Sequence, residues 1–107
     1  MLRGDLVIAA MQGDHGKPRP ALVIQSDLFE LETVTVLPLV SSQLVPALTR
    51  IDIEPTPANG LQAVSQIVVH RPSTLRRDKV GRVIGRADDA TMLAVTRALT
   101  VFLGLAP

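Results

Sequence analysis

The chain has no cysteine, no tryptophan and no tyrosine, and only two phenylalanines among its 107 residues. Without thiols there can be no disulfide and no thiolate metal site, and the redox compartment is unconstrained, which leaves a cytoplasmic location as the default expectation. The scarcity of aromatics weakens any model in which nucleic-acid bases stack on an aromatic platform, the usual device of single-strand binding modules. No stretch approaches the ~18 apolar residues of a membrane span, and Asp5 interrupts the N-terminal region too early for an export signal, so no membrane association is expected. Net charge is only +1. Attraction to an anionic partner must therefore come from the distribution of charge, not its sum.

What is present is the composition of a folded domain, 47% hydrophobic and 20% charged. The length suits a single domain over residues 1–107, with one modest core and a second copy needed for any extensive site. Leu6 to Met11 is a short apolar run bounded by glycine, more strand than helix, and Arg19 to Gln25 reads as a second strand. Thr33 to Leu37 has the β-branched enrichment of a third, closed by Pro38. Leu48 to Glu54 alternates as a half-buried fourth strand, and Asn59-Gly60 marks a turn with positive φ. Gln62 to His70 and Val80 to Ile84 supply two more strands, with Pro72 to Leu75 interrupting. Asp88 is placed as an N-cap for a helix from about Asp89 to Leu103, with Gly104 as its terminator. Met92, Val95, Leu99 and Phe102 form its core-facing stripe. Six short strands and one terminal helix, with no crossover helices, predict a mainly β fold: a small, strongly bent barrel or pair of sheets with the helix packed against it.

Two places hold chemistry. In Lys17-Pro18-Arg19-Pro20 the prolines stiffen the approach to a strand and hold Arg19 at its rim, where a planar guanidinium suits a phosphate. An arginine in a proline-rich loop is more often a solvated charge. Between Arg71 and Arg86 lie six cations (Arg71, Arg76, Arg77, Lys79, Arg82 and Arg86) against one acid, Asp78. Such a run is either a solvated face or a track for phosphates. Ser41, Ser42 and Gln43 offer two hydroxyls and an amide in a loop, and His15 is a lone histidine four residues before Arg19. There is no P-loop, no nucleophile elbow and no histidine–carboxylate cluster with metal-ligand spacing, so neither metal nor cofactor is expected.

Arg3-Gly4-Asp5-Leu6-Val7, Arg19 to Gln25, Pro38 to Gln43, Gln66 and the Val80 to Arg86 segment with its following helix together resemble the MazF/PemK/Kid toxins of bacterial toxin–antitoxin pairs. The resemblance implies an SH3-like barrel, a homodimer, a cognate antitoxin, and sequence-specific, metal-independent cleavage of single-stranded RNA by attack of the ribose 2′-OH, leaving 2′,3′-cyclic phosphate and 5′-OH ends. Arg19 matches the family's catalytic arginine, and Ser41 its catalytic hydroxyl, with Ser42 the other alignment. Contacts to RNA are expected from His15, Lys17, Ser42, Gln43, Gln66, Arg71, Arg76 and Arg77. Ser65 and Ala63 stand where many relatives carry an acid and some an arginine. Gln25 to Leu28 and Val36 to Ser41 also resemble the CcdB toxins, which poison DNA gyrase without catalysis, although this chain lacks their tryptophan-bearing terminal turn.

Overall fold

In the computed structural model, which describes residues 1–11 and 16–106, the chain forms seven strands and one helix. They run β1 (Asp5–Ala10), β2 (Pro18–Val23), β3 (Thr33–Val40), β4 (Arg50–Ile53), β5 (Ser65–Val68), β6 (Ser73–Arg76), a 3-10 turn at Arg77–Lys79, β7 (Val80–Arg86) and α1 (Asp89–Phe102). The strands pair antiparallel in the order β4-β5-β3-β2-β1-β7, and β6 adds to β3.

Successive residues of the central strands enter different cores, as the period of two requires. Leu6, Leu22 and Leu37 point into one cluster with Ile67 and Val95; Val7, Ala21, Val23 and Val36 form a second, with Val34 and Met11. Burial on both faces is why these strands read as continuous apolar runs instead of alternating ones.

Three expectations are corrected here. Pro38 does not end its strand. Val36 is the last residue of β3 paired with β6 and Leu39 the first paired with β5, so Pro38 falls where the strand changes neighbours, and its missing N–H falls between those two pairings. The segment after Pro72 is not an interruption either: Ser73 to Arg76 pairs with Val36 back to Thr33. The expected bent barrel is also an open one, since among the described residues β4 and β7 do not pair.

The Pro55–Gly60 turn crosses the gap between those two ends. Asn59, almost fully buried, accepts from the backbone N–H groups of Thr56 and Leu61 through Oδ1 and donates from Nδ2 to the Glu54 carbonyl. Gly60 follows at φ +70°, and a β-carbon there would lie 2.1 Å from the Ile84 carbonyl oxygen of β7. Arg86 N–H donates to the Ala58 carbonyl at 2.9 Å. The turn is thus seated on β7 by backbone contact.

Helix α1 starts as predicted, with the Asp88 carboxylate accepting from Thr91 N–H at 2.7 Å. Hydrogen bonding from Thr91, first from its side chain and then from this backbone N–H, holds the Asp88 carboxyl below its ordinary value. Gly104 closes the helix at φ +73°. Of the apolar stripe, Val95 is fully buried and Met92 and Leu99 pack on the first core, whereas Phe102 is 45% exposed and meets His70 edge to face. Arg3 ties the helix to the sheet: its guanidinium donates to the Ile24 carbonyl and to Thr96 Oγ1.

Candidate active site

Beside the far end of β3 lies a cleft of about 360 Å³, lined by Arg19, Ser41, Gln62, Ser65 and Arg82 among apolar neighbours including Leu39 and Ile84. Its walls come from different parts of the chain. Arg19 stands on β2 opposite Ala9; Ser41 is the first residue after β3; the segment after Gly60 leads into β5; and Arg82 arrives on β7. The two residues taken as the catalytic pair, 22 positions apart in sequence, are brought to one cleft. No carboxylate or imidazole is among the described lining residues, and Arg19 and Arg82 bring two guanidiniums to the cleft.

The loop carrying Ser41 is held by Gln66. That side chain is 4% exposed, and its amide is fully used. Nε2 donates to the Val45 carbonyl and to Asp52 Oδ1, both at 2.8 Å. Oε1 accepts from Val45 N–H at 3.2 Å and from the Arg50 guanidinium at 3.1 Å. Asp52 faces Gln66 directly across β4 and β5, while Val40 faces it across β3 and β5. Gln66 therefore clips the backbone of the serine loop to the sheet. Its hydrogen-bonding capacity is spent on protein, so the geometry gives it support of the loop in place of the expected contact to RNA. Gln43 turns the same loop with φ 54°, a left-handed conformation uncommon outside glycine, two residues after Ser41.

The other expected contacts separate. Lys17 and Ser42 are exposed beside Arg19 and Ser41 respectively, and Gln43 is exposed on the loop. His15 lies outside the described residues. Arg71 follows the end of β5 away from Ser65, its N–H donating to the Val68 carbonyl. Arg76 pairs with Thr33 at the opposite end of β3, separated from Ser41 by roughly 25 Å of strand at ~3.3 Å per residue. Its guanidinium meets Asp78 at 2.6 Å. Arg77 Nε donates to the Leu31 carbonyl at 2.5 Å. Neither reaches the cleft. Ser65 does line it, but the side chain is 4% exposed and its hydroxyl donates to the Ala63 carbonyl. Sequence reading placed Arg82 only within a basic run and left Gln62 in a strand. Both were identifiable as cleft residues only once β7 and the turn after Gly60 were placed.

Comparisons with known proteins show the family. Residues 2–103 match the model of the PemK-like, MazF-like toxins of type II toxin–antitoxin systems. The chain is 44% identical to the probable endoribonuclease MazF of Mycolicibacterium smegmatis over 99% of each chain. Its fold is similar to that of an endoribonuclease solved with its cognate antitoxin from a mycobacterial species (TM-score 0.83, 20% identity, 100% and 98% of the two chains covered). It is also similar to MazF in a MazE–MazF complex from Deinococcus radiodurans (TM-score 0.77, 20% identity, 99% and 97% covered). The match spans nearly the whole chain and favours the first of the two resemblances over the gyrase poisons: this protein belongs to the PemK-like, MazF-like family of type II toxin–antitoxin toxins.

Proposed function

We propose that the chain is the toxin of a toxin–antitoxin pair and acts as an endoribonuclease on single-stranded RNA, with the cleft at Arg19 and Ser41 as its active site. The observation that carries this reading is the meeting of a guanidinium, Arg19, and a hydroxyl, Ser41, in one cleft. RNA supplies its own nucleophile. Attack of the ribose 2′-OH on the adjacent phosphorus gives a pentavalent phosphorane, the P–O5′ bond breaks, and 2′,3′-cyclic phosphate and 5′-OH ends remain. Negative charge builds on the non-bridging oxygens during that step. Arg19 and Ser41 donate to those oxygens, and such donors stabilise a transition state more than the ground state when they are held in place beforehand. Pro18 and Pro20 on β2, and the Gln66 clip behind the serine loop, are what hold them. Arginine's very high pKa suits this electrostatic role better than proton transfer.

The antitoxin that pairs with it is expected to lay an acidic, partly disordered segment over the same positive cleft, folding as it binds. A homodimer belongs to this reading. Val101, Leu103 and Leu105 are each more than half exposed at the end of α1, an apolar surface that a second copy would cover. Its RNA substrate sets its place in the cytoplasm; among the described residues no helix is long and apolar enough to cross a membrane.

The deciding experiment incubates purified protein with mixed-sequence single-stranded RNA in EDTA and identifies the product ends, with gyrase supercoiling assayed in parallel. Cyclic phosphate and 5′-OH termini, with supercoiling untouched, are expected. Intact RNA together with arrested supercoiling would overturn the nuclease in favour of a gyrase poison.

A further inference from the structure

We infer that Arg82 is a positioning residue of the same cleft, holding a backbone phosphate next to the one gripped by Arg19 and Ser41. This rests on the endoribonuclease reading and assigns a further residue to that site.

The register of β7 against β1 brings Arg82 there. Val83 faces Val7 and Val80 faces Ala9, so Gly81 and Arg82 together oppose the single residue Ile8. The extra residue is a β-bulge, which bends the strand and re-aims its side chains, and bulges are enriched beside active sites. Close approach at that point is built in: a β-carbon on Gly81 would lie 2.8 Å from the Ile8 carbonyl oxygen. On the other edge of β1, Ile8 faces Pro20, the neighbour of Arg19. The two arginines are thus separated by one intervening strand, two strand spacings or about 10 Å at the backbone. Two long guanidinium side chains rising from backbone positions that far apart can converge across the mouth of the cleft on neighbouring phosphates of one strand.

The electrostatic surroundings set Arg82 apart from three arginines of its basic run, and its place in the cleft sets it apart from Arg71 and Lys79. Arg76 is paired with Asp78, Arg86 with Asp5 at 2.7 Å, and Arg77 with the Leu31 carbonyl. Arg82 is exposed, lines the cleft, and among the described residues has no hydrogen-bond or ion-pair partner. Exposed at the cleft and without a partner among the described residues, the Arg82 guanidinium is placed to take an external anion, and its planar fork can donate two parallel bonds to a phosphate. Because the neighbouring phosphate carries the same charge before and during the reaction, the grip acts on binding more than on the chemical step.

The test compares wild type, Arg82→Gln and Arg82→Lys in cleavage of a single-stranded RNA, and in binding a mixed-sequence 2′-O-methyl oligonucleotide that cannot be cut, over a range of salt. Arg82→Gln is expected to raise KM about tenfold with kcat within about twofold, and to make the salt dependence of binding shallower by about 0.7. Arg82→Lys restores the salt slope and part of the KM, because it keeps the charge and loses the fork. Thermal midpoints stay at the wild-type value, since no internal partner is lost. Wild-type KM and salt slope in Arg82→Gln overturn the inference, as does a fall in kcat with KM unchanged. Wild-type protein that binds the oligonucleotide but cuts no RNA overturns the nuclease reading, while a shallower slope in Arg82→Gln still supports the phosphate grip. Wild-type protein that does not bind overturns both.

Discussion

At the Val40 end of β3, Arg19, Arg82 and Ser41 line a cleft with no acid among its described lining residues. At the Thr33 end lies a larger cavity, about 590 Å³, lined by Arg77 together with Asp27, Glu30 and Glu32. Two arginines from the densest cluster of cations in the sequence, Arg76 and Arg77, belong to the second place. There Arg76 is met by the Asp78 carboxylate and Arg77 by the Leu31 carbonyl, so less of their charge is left for a polyanion. At the first place two arginines from distant parts of the chain, Arg19 and Arg82, line one cleft. The number of basic residues in a stretch says less about an anion site than which of them the fold brings together.

The comparison can be broken most directly at Arg19. Arg19→Ala is expected to lower the rate of RNA cleavage by about 10²-fold to 10³-fold, the scale for removing one preorganised donor, with the circular dichroism spectrum retained. Cleavage continuing at the wild-type rate would remove the cleft from consideration. Next in size is Gly60→Ala, which forces a β-carbon to within 2.1 Å of the Ile84 carbonyl in a backbone conformation of φ +70°. It should cost more than about 2 kcal/mol in urea unfolding, because the turn must leave β7.

Gln66→Leu leaves Asp52, Arg50 and both polar groups of Val45 without their partner. A loss of about 1–3 kcal/mol in stability is expected, together with reduced kcat as the serine loop loosens. A mutant with loosened RNA binding but unchanged stability would instead restore Gln66 to the substrate contacts. Smaller still, Arg76→Ala at the other end breaks an exposed ion pair of at most about 1 kcal/mol, and cleavage should stay within about twofold. Any larger drop would show that RNA reaches the far end of β3.

The smallest expected effect lies in α1, which belongs to neither end. The Asp88 carboxyl is held below its ordinary value of 3.8 by hydrogen bonding from Thr91. Its lowered pKa makes the ionised cap a stabilising contribution that is present above 3.8 and lost as the pH falls through the folded value. The thermal midpoints of wild type and Asp88→Ala should therefore differ at neutral pH and converge in acid.

Much of the molecule was legible beforehand for local reasons. The helix limits were readable because Asp88 and Gly104 act within one turn of themselves, and Gly60 because a tight turn needs a positive φ wherever the fold puts it. Strand β6 was missed because Ser73 to Arg76 has little apolar content and is held by its partner, the first half of β3. Pro38 was misread as a terminator because its tolerance depends on which neighbour stands beside it. In the site, Arg19 and Ser41 were legible through family resemblance, whereas Gln66 was assigned to RNA because a sequence does not show that Val45, Asp52 and Arg50 already occupy its amide.

By itself the amino-acid sequence determined the helix with its caps and most of the strands, since each depends on residues near one another in the chain, and a resemblance could align Arg19 and Ser41 as candidates. Which arginines line the cleft, and which meet Asp78, Asp5 or the Leu31 carbonyl, was decided only by the tertiary structure. Charge compensation falls off with distance in space, and the bulge at Gly81 and the pairing of β1 with both β2 and β7 bring Arg82 to within two strand spacings of Arg19 from 63 residues away.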